Sequence, residues 1–326
     1  MANEAAPTAT TMTMTSTNQA AANGRRALPI GLIGLGIMGG EMAEALLRSG
    51  HPVIGFDPDP QAAARLARAG GQVAAGAEQV ARAAEVVIVS LATSPALMAT
   101  VQALASAREP HTAGRQVVVE TSTLPLADKE AAEAICEAAG IVLLDCPISG
   151  TAARMKDRAW TVYCSGPSDA IREVKALLQV FTDNVPDVGE FGNGTRMKFA
   201  ANHLVAIYNV ACAESMTLVR KLGLDPQQVL DLFGPSAVIG TGVMRLRSPF
   251  MIARDYLPAT MKVEVWQKDM QVIGDMAKAV DCPTPLFSAC VPLYTAAMAQ
   301  GLAQHDTASV HEVLGQMAGL PPRDAA

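Results

Sequence analysis

A glycine-rich turn near the beginning of the chain limits the possible folds more than any other feature. Leu28 to Ile33 forms a short apolar run, and Gly34, Gly36 and Gly39 follow it with GxGxxG spacing. In a strand-to-helix turn of this kind, the first glycine allows the bend, the second lets the backbone approach a pyrophosphate, and the third lets the helix pack on the strand. The positive end of the helix would bind the pyrophosphate. The turn therefore predicts a dinucleotide-binding unit, with a chance glycine turn as the alternative.

A carboxylate at the end of the next predicted strand bears on the choice of dinucleotide. Val53 to Phe56 reads as that strand, and Asp57 follows it, close to the offset of about 20 residues at which a carboxylate binds the ribose 2′-OH. A 2′-phosphate would be repelled by Asp57, and Pro58 to Pro60 includes no arginine to receive it. We therefore predict NAD as the cofactor, with NADP less favoured.

Helices and strands alternate through the rest of the first half. The predicted helices are Pro60 to Ala69, one starting at Ser94-Pro95, Leu126 to Ala139 and Ser168 to Val180, and the predicted strands are Val86 to Leu91, Gln116 to Val119, Ile141 to Leu144 and Trp160 to Cys164. This pattern predicts an α/β Rossmann domain, a doubly wound parallel sheet, over residues 28–190. Ligands lie beyond the carboxyl ends of such strands, at segments 92–94, 120–123 and 145–151. The last segment either offers backbone N–H groups and a hydroxyl to a carboxylate or is an ordinary polar loop.

A long helix is predicted to open the second half. The stretch that follows Gly192 is the longest in the chain without proline or glycine, and it ends at Gly223. On a helical wheel Lys198, Asn202 and Asn209 fall within about 40° of one another. Apolar residues flank this stripe. The residues alone leave two interpretations open, an exposed polar edge and a lysine and an asparagine that point into a cleft.

Only helices are predicted after this one, in an all-helical substrate and oligomerisation domain over residues 191–320. They are Asp225-Pro226 to Phe233, Thr260 to Val280, Leu286 to Gln300 and Ala308 to Met317. Lys268 and Asp269 lie in the middle of the second of these. A single charged pair on a helix is usually at the surface, which is the interpretation that the pair alone favours.

Composition excludes several classes of protein. Half of the residues are hydrophobic and the net charge is −6, which favours a soluble globular protein and gives no basic surface for nucleic acid or a membrane. The six cysteines include no CxxC pair, which favours reduced thiols in the cytoplasm over a zinc site, so no metal is expected. Residues 1–27 are predicted to be a disordered tail, with a transit peptide as the alternative, and residues 321–326 a second tail.

Four blocks of sequence occur in a fixed order along the chain. They are Gly31 to Gly40 with its Gly-Leu-Gly-Ile-Met-Gly, Asp145 to Gly150, Gly192 to Asn202 with its GxGxxxKxxxN, and Lys268-Asp269-Met270. Together they resemble the 3-hydroxyisobutyrate dehydrogenase-like family, the β-hydroxyacid dehydrogenases, over about Leu28 to Leu320. The resemblance implies a Rossmann domain, a helical domain built on a long interdomain helix, an active site between them, and a homodimer or homotetramer.

The resemblance also implies roles for particular residues. Lys198 would be the catalytic lysine. The predicted substrate-binding residues are Ser149, Gly150, Thr151 and Asn202. The predicted cofactor-binding residues are Gly34, Gly36, Ile37, Met38, Gly39, Asp57, Leu91, Ala92, Ser122 and Lys268, the last two at the nicotinamide end.

Three positions depart from the family pattern. Thr151 and Arg158 stand where the family usually has glycine, and Ala92 replaces a common proline. Arg154, Lys156 and Arg158 make this loop cationic. We expect a solvated loop, with contact to an extra anionic group of the substrate as the alternative.

The expected reaction is the reversible oxidation of an alcohol β to a carboxylate, with Lys198 transferring the hydroxyl proton. A free lysine has a pKa near 10.4, and its place in the first turn of a helix, near Lys268, is expected to lower that value. The histidines offer no rival base, since His51, His111, His305 and His311 are expected at the surface and His203 as a structural residue. Imine reduction, a dinucleotide-sensing binding protein and a phosphogluconate-type substrate are the alternatives; imine reductases usually lack this lysine.

Overall fold

The first half of the chain forms a six-stranded parallel sheet flanked by helices. The structure is a computed structural model that describes residues 28–108, 115–151, 155 and 157–322. The strands are β1 (Ile30–Ile33), β2 (Val53–Phe56), β3 (Gln72–Val73), β4 (Val86–Val89), β5 (Gln116–Glu120) and β6 (Ile141–Asp145), and the helices between them are α1 (Ile37–Arg48), α2 (Pro60–Arg68), α3 (Ala77–Ala83), α4 (Ser94–Ala107) and α5 (Leu126–Ala138). The strand order is β3-β2-β1-β4-β5-β6. The predicted doubly wound sheet is confirmed.

The strands are apolar along most of their length because helices cover both faces of the sheet. Leu32, Ile88 and Val119 belong to the core on one face. Their neighbours Val89 and Val118 belong to the core on the other. A buried parallel sheet of this kind exposes its strand ends, and the carboxyl edge is where the predicted cofactor residues lie.

A short hairpin and one more helix follow the sheet. The hairpin pairs β7 (Ile148–Ser149) with β8 (Thr161–Val162) in antiparallel fashion, and α6 (Ser168–Leu178) comes next. The strand predicted from Trp160 to Cys164 is thus shorter than expected. Its last residues instead form single bridges, such as that between Cys164 and Asp187.

The second half is helical, as predicted. It contains α7 (Asn193–Lys221), α8 (Pro226–Phe233), α9 (Gly242–Ala253), α10 (Val263–Ala279), α11 (Pro285–Ala299), a 3₁₀ turn (Thr307–Ser309) and α12 (Val310–Met317). Between residues 195 and 322 the extended pairing is limited to one isolated bridge, between Lys262 and Asp306. No helix in the described part of the chain is both long and apolar enough to cross a bilayer.

Helix α7 is the structural centre of this half. It has 29 residues and begins after Gly192, whose φ of +86° is in the left-handed region. Gly223, with a φ of +72°, follows its last turn, where Arg220 and Lys221 lie at the negative end of the helix dipole. The helix contacts β6 and β7 at one end and α8 to α12 along its length. The predicted long interdomain helix is therefore confirmed.

The structure differs from the sequence prediction in five local features. Neither β3 nor α3 was predicted, because both are short. Helix α9 was not predicted because Gly242 begins it and Pro249 lies inside it; the Thr241 side chain caps it by accepting from the Met244 N–H at 2.9 Å. Thr93, not Ser94, caps α4.

The fifth difference is the position of His311. The surface assignment of this residue is wrong, since its side chain is buried and its Nδ1 lies 3.2 Å from the Tyr256 hydroxyl. The reason is that α12 packs on α7 and α11 with this side inward. His111 lies outside the described residues.

Candidate active site

The glycine turn between β1 and α1 has room for a phosphate group. Gly34 has a φ of +88°, and a Cβ on Gly39 would lie 1.8 Å from the Gly34 carbonyl oxygen, so neither position tolerates a side chain. A Cβ on Gly36 would meet no atom within 4 Å. Helix α1 begins directly afterwards at Ile37 and Met38, with neither a side-chain cap nor an acidic residue in its first turn. The turn therefore fits a dinucleotide pyrophosphate.

Asp57 lies at the same turn. Its Oδ2 accepts a hydrogen bond from the Leu35 N–H at 2.6 Å, and its Oδ1 accepts one from the Asp59 N–H at 2.8 Å. Sequence reasoning found no arginine in 58–60, but the fold brings Arg65 of α2 to this turn, where its Nη2 lies 3.4 Å from the Leu35 carbonyl oxygen. A carboxylate and a guanidinium group therefore both flank the place where a ribose would lie.

Three predicted cofactor residues converge at the carboxyl edge of the sheet. The Ser122 hydroxyl accepts a hydrogen bond from the Leu91 N–H at 2.7 Å, which joins the segments after β4 and β5. Ala92 follows Leu91 in the first of these segments. Lys268 of α10 donates to the Thr123 carbonyl oxygen at 2.5 Å. The fold thus brings α10 against the loop after β5, as the predicted nicotinamide end requires.

A buried ionic cluster, which the sequence analysis did not identify, supports this edge. The Lys129 Nζ lies 2.6 Å from the Glu120 Oε2 and donates to the Asp145 Oδ1 at 2.8 Å and to the Ser122 carbonyl oxygen at 2.7 Å. All three charged side chains are fully buried. Burial lowers the pKa of Lys129, but the two carboxylates outweigh it and hold the pKa above its usual value. Lys129 therefore stays charged, and its contacts tie three segments together.

The turn from Ser149 to Thr151 is fixed by packing on Trp160. Gly150 has a φ of +141°, and a Cβ there would lie 2.4 Å from the Trp160 ring. The Trp160 Nε1 donates to the Thr151 carbonyl oxygen at 2.7 Å. The Thr151 Oγ1 is buried and has no partner among the described residues. This turn therefore holds a free hydroxyl in a defined position.

The polar stripe of α7 faces a cavity. Lys198, Asn202 and Asn209 are 7%, 4% and 1% exposed, which rules out a solvated polar edge. All three line a cavity of about 350 Å³, together with Ser149, Gly150 and Thr151 from the other half of the molecule. The fold thus unites the predicted catalytic lysine with all of the predicted substrate-binding residues.

Asp269 links this cavity to the cofactor edge. Its Oδ2 accepts from the Asn202 Nδ2 at 3.2 Å, and its Oδ1 lies 3.2 Å from the Lys268 Nζ. Asp269 is only 3% exposed, so the surface interpretation of the charged pair is wrong for this residue; the side chain of Lys268 is partly exposed. The side chains of Asn202, Asp269 and Lys268 therefore form a continuous polar chain from α7 to the loop after β5.

The pKa of Lys198 is lowered to about 8, as expected in direction. The main cause is burial, which penalises the ammonium form; Asp269 opposes the shift, and the charge of Lys268 adds to it. Burial also raises the pKa of Asp269, against the effect of the two lysines. Lys198 is thus placed to exchange a proton near neutral pH. The main cause is burial, whereas the sequence predicted the lowered pKa from the helix end and Lys268.

Arg158 is not part of this cavity. Its φ of +53° is in the region that favours glycine, which agrees with the glycine usual at this position in the family. Its guanidinium group binds the Asp183 carboxylate at 2.6 Å and the Gln179 carbonyl oxygen at 2.9 Å, at the end of α6. It therefore caps a helix. Arg154 and Lys156 lie outside the described residues.

A larger cavity, of about 580 Å³, lies on another side of α7. Its lining is mostly apolar and includes Phe199, Leu204 and Ile207, with none of the predicted site residues. His203 also lines it, and its ring stacks on that of Phe287 with centroids 5.2 Å apart. Within the described residues, no group of three or more histidine, cysteine, aspartate or glutamate side chains could hold a metal ion.

The fold and the site together define a class of enzyme. A turn that fits a dinucleotide at the carboxyl edge of the sheet and a buried lysine of lowered pKa on α7 can combine hydride transfer with proton transfer. This is the arrangement of a nicotinamide-dependent dehydrogenase that acts on an alcohol group.

Comparison with known proteins identifies the family within that class. Residues 29–189 match the NAD binding domain of 6-phosphogluconate dehydrogenase, and residues 192–314 match the family described as NAD-binding of NADP-dependent 3-hydroxyisobutyrate dehydrogenase. The 3-hydroxyisobutyrate dehydrogenase of Pseudomonas aeruginosa is 30% identical over 287 residues, 85% of this chain and 94% of that protein. The L-threonate dehydrogenase of Cupriavidus necator is 29% identical over 87% of this chain and 95% of that protein.

A solved structure agrees with these relatives. The 3-hydroxyisobutyrate dehydrogenase of Mycobacterium tuberculosis, solved with L-serine, superposes with a TM-score of 0.79 at 26% identity, over 89% of this chain and 99% of that one. This protein belongs to the 3-hydroxyisobutyrate dehydrogenase family and is a hydroxyacid dehydrogenase with NAD(P)-binding domains, acting on CH–OH donors.

Proposed function

We propose that this protein is an NAD-dependent dehydrogenase that interconverts a short 3-hydroxyacid, of the 3-hydroxyisobutyrate or tartronate semialdehyde kind, with its semialdehyde or keto acid. One observation carries the proposal: Lys198 is buried in a cavity beside Asn202 and the turn at Ser149, with its pKa lowered to about 8. The relatives named as 3-hydroxyisobutyrate and L-threonate dehydrogenases support it.

In this proposal the substrate is held between α7 and the turn after β7. Ser149, Gly150 and Thr151 bind its carboxylate, and the unpartnered Thr151 hydroxyl is a donor for that purpose. Asn202 donates its amide N–H to Asp269. Its second amide N–H can donate to the oxygen of the substrate hydroxyl, whose single proton is directed to Lys198.

Lys198 transfers the proton. In the oxidation direction its neutral amine accepts the proton of the substrate hydroxyl, and in the reduction direction its ammonium group returns it to the carbonyl oxygen. A pKa of about 8 leaves both forms populated near neutral pH. Bound nicotinamide supplies the hydride acceptor or donor.

The cofactor-binding assignments follow the geometry of the sheet edge. Gly34, Gly36 and Gly39 shape the turn that would hold the pyrophosphate, and the first N–H groups of α1, from Ile37 and Met38, face it. Leu91, Ala92, Ser122 and Lys268 would border the nicotinamide.

We propose NAD because Asp57, at the end of β2, can accept hydrogen bonds from a ribose 2′-OH but would repel a 2′-phosphate. Arg65 is the residue through which NADP could still bind, since its guanidinium group lies at the same turn. The ratio of kcat/KM with NAD to that with NADP measures the balance. Replacing Arg65 with Ala should raise that ratio further if NADP binding depends on this group.

A turnover screen tests the proposed reaction. Short 3-hydroxyacids and their semialdehydes would be assayed with NAD and NADP, using wild type, Lys198→Ala and, as a matched control on the same helix, the exposed Lys221→Ala. We expect turnover with NAD that falls by about 10²–10⁴ in Lys198→Ala, while NAD binding persists and the control stays active.

The same screen separates the alternatives. Reduction of cyclic imines at rates that survive Lys198→Ala would support an imine reductase, because protonation of an imine would not then need this lysine. NAD binding without turnover of any substrate in wild type would support a sensing protein. Turnover that persists in Lys198→Ala with a hydroxyacid would contradict the proposed role of Lys198.

We further propose a homodimer or homotetramer in the cytoplasm. Most exposed large apolar side chains of the described residues belong to the helical half, including Leu204, Leu232 and Leu286. A second copy covering these surfaces would remove them from water. All six cysteines are free thiols, which is consistent with a reducing compartment. Light scattering coupled to size exclusion would give the oligomeric state.

A further inference from the structure

The substrate cavity extends well beyond the proposed catalytic residues. It is lined by Lys198 at one end and by Asn209 at the other, and these are 11 positions apart on one helix (209 − 198), or about 16 Å along its axis at about 1.5 Å per residue. One extended residue, which is three backbone bonds, spans about 3.3–3.6 Å. A three-carbon hydroxyacid is only slightly longer, at about 5 Å. The far end of the cavity, next to α9, is therefore available to another part of a longer substrate.

Arg247 of α9 lies at this far end. The residue is 5% exposed and lines the cavity. Its Nη1 makes all of its contacts, with the Asp306 carboxylate at 2.5 and 2.6 Å and with the Thr260 hydroxyl at 2.6 Å. Its Nε and Nη2 have no partner among the described residues, and neither is fully buried, so both are accessible to a hydrogen-bonding group.

Other polar groups at this end also lack partners. The Asn209 Nδ2 donates to the Tyr294 hydroxyl at 2.7 Å and to the Thr307 carbonyl oxygen at 2.9 Å. Because a carbonyl oxygen can only accept, this orientation is fixed, and it leaves the Asn209 Oδ1 as a buried acceptor without a donor. The Trp266 Nε1 is likewise a buried donor without an acceptor, and both residues line the cavity.

The charges at the far end of the cavity favour an uncharged group on the tail of the substrate. Arg247 is already paired with Asp306, whose Oδ2 also accepts from the Thr260 N–H at 2.8 Å and whose Oδ1 accepts from the Ala308 N–H at 3.0 Å. The pair has no net charge, so a second carboxylate would gain little to offset its desolvation. A hydroxyl group can both accept from Arg247 and donate to an acceptor.

We propose that Arg247 is a specificity-determining residue that binds a hydroxyl group on the tail of the substrate. The substrate class is therefore a 3-hydroxyacid whose tail extends several carbons beyond the oxidised carbon and ends in a further hydroxyl. This inference rests on the proposed function, because it takes Lys198 as the reacting end of the cavity.

Three substrates that differ only in the group on C8 test the inference. They are 3-hydroxyoctanoate with a methyl tail, 3,8-dihydroxyoctanoate with a hydroxyl tail, and 3-hydroxynonanedioate with a carboxylate tail. For wild type we expect kcat/KM for the hydroxyl tail to exceed that for the methyl tail by about 10-fold or more, the worth of a hydrogen bond to a charged donor. The carboxylate tail should fall below the hydroxyl tail.

Arg247→Lys probes the residue while keeping a cation beside Asp306. The substitution removes the planar guanidinium group and with it the unpaired Nε and Nη2 N–H groups. We expect the ratio of kcat/KM between the hydroxyl and methyl tails to fall about 10-fold. Arg245→Lys is the matched control, since Arg245 is on the same helix but its Nη1 binds the Gly234 carbonyl oxygen outside the cavity, and its ratio should stay at the wild-type value.

The outcomes separate this inference from the proposed function. If wild type oxidises no 3-hydroxyacid at all, including 3-hydroxypropionate, the proposed function fails. If it oxidises short 3-hydroxyacids but treats the hydroxyl and methyl tails alike, or if Arg247→Lys lowers kcat/KM equally for both, only the role of Arg247 is overturned. A preference for the carboxylate tail would overturn the neutral-group argument and assign a dicarboxylate.

Discussion

The side chain of Asp145 accepts a hydrogen bond from the Thr195 N–H at 2.7 Å, although the two residues are 50 positions apart. The same carboxylate accepts from the Thr195 hydroxyl at 2.8 Å. Asp145 ends β6, and Thr195 is in the first turn of α7, so a residue of the sheet caps the helix that carries Lys198. A carboxylate at a helix N-terminus is stabilised by the free N–H groups there.

This contact is one of two that fix α7 relative to the cofactor edge. Lys129 connects Asp145 to the Ser122 carbonyl oxygen. On the other side of Lys198, Asn202 connects through Asp269 and Lys268 to the Thr123 carbonyl oxygen. Lys198 thus lies between two anchored positions of the same helix, and both anchors end in the loop that would border the nicotinamide.

The first prediction concerns the Thr195 anchor. Thr195→Val removes one hydrogen bond to Asp145 without changing the shape of the side chain, and we expect kcat to fall about 10-fold because a small displacement of Lys198 slows proton transfer. Thr195→Ser should restore most of kcat. Thr217→Val is the control, since the Thr217 hydroxyl binds only within α7, to the Ala213 carbonyl oxygen at 2.8 Å. A wild-type kcat in Thr195→Val, with both valine variants equally stable, would contradict the positioning role.

The second prediction concerns the pH dependence of the reaction. Lys198 must be neutral to accept the hydroxyl proton and charged to return it. With a pKa of about 8, the rate of alcohol oxidation should rise with pH and level off above that value, while the rate of carbonyl reduction should fall over the same range. Profiles of kcat/KM in both directions measure this. An oxidation rate that stays flat from pH 6 to pH 10 would mean that another group handles the proton.

The third prediction concerns the cost of burying Lys198. Its pKa is about 8 in the folded protein, against 10.5 for the free side chain. Below pH 8 the amine is charged in both states and the folded state bears the full cost of a buried ammonium group. Above about pH 10.5 it is neutral in both, so the cost disappears. The free energy of unfolding of wild type should therefore rise between these values.

Lys198→Met keeps the length of the side chain and removes this cost. We expect its Tm at pH 7 to exceed that of wild type by about 5 °C. The difference should shrink as the pH rises from 8 to 10.5. Calorimetry over this range checks both points, and a variant less stable than wild type at pH 7 would show that the lysine is not penalised by burial.

The fourth prediction separates two glycines of the cofactor turn. Gly36→Ala should fold with a Tm close to that of wild type, because a Cβ there meets no atom within 4 Å, but NAD affinity should fall about 10-fold or more as the methyl group enters the space for the pyrophosphate. Gly39→Ala should instead lower the yield of folded protein, because its Cβ would lie 1.8 Å from the Gly34 carbonyl oxygen. Calorimetric titration with NAD and thermal unfolding distinguish the two. Unchanged NAD affinity in Gly36→Ala would place the pyrophosphate elsewhere.

The local sequence was sufficient to predict the structure of segments whose conformation depends on neighbouring residues alone. The glycine turn, the apolar strands and the long run of helix formers ending at Gly223 each follow from neighbouring residues, and the sheet and α7 were predicted from them. The spacing of Lys198 and Asn202 placed both on one face of α7, because that spacing is a property of any helix. The four blocks of the family pattern added the roles.

Whether that face meets water or a cavity depended on residues far along the chain, and only the tertiary structure decided it. Lys129 stands between Asp128 and Glu130, a charge pattern typical of a solvated helix surface, yet α5 packs so that Lys129 alone is buried against Glu120 and Asp145. Arg247 lies close to Arg245 in the sequence, a pattern that also predicts an exposed position. The packing of α9 instead places Arg247 at the cavity. Burial of a charged side chain is set by contacts between distant segments, and the pKa values and unpaired hydrogen-bonding groups that give this site its chemistry are consequences of that burial.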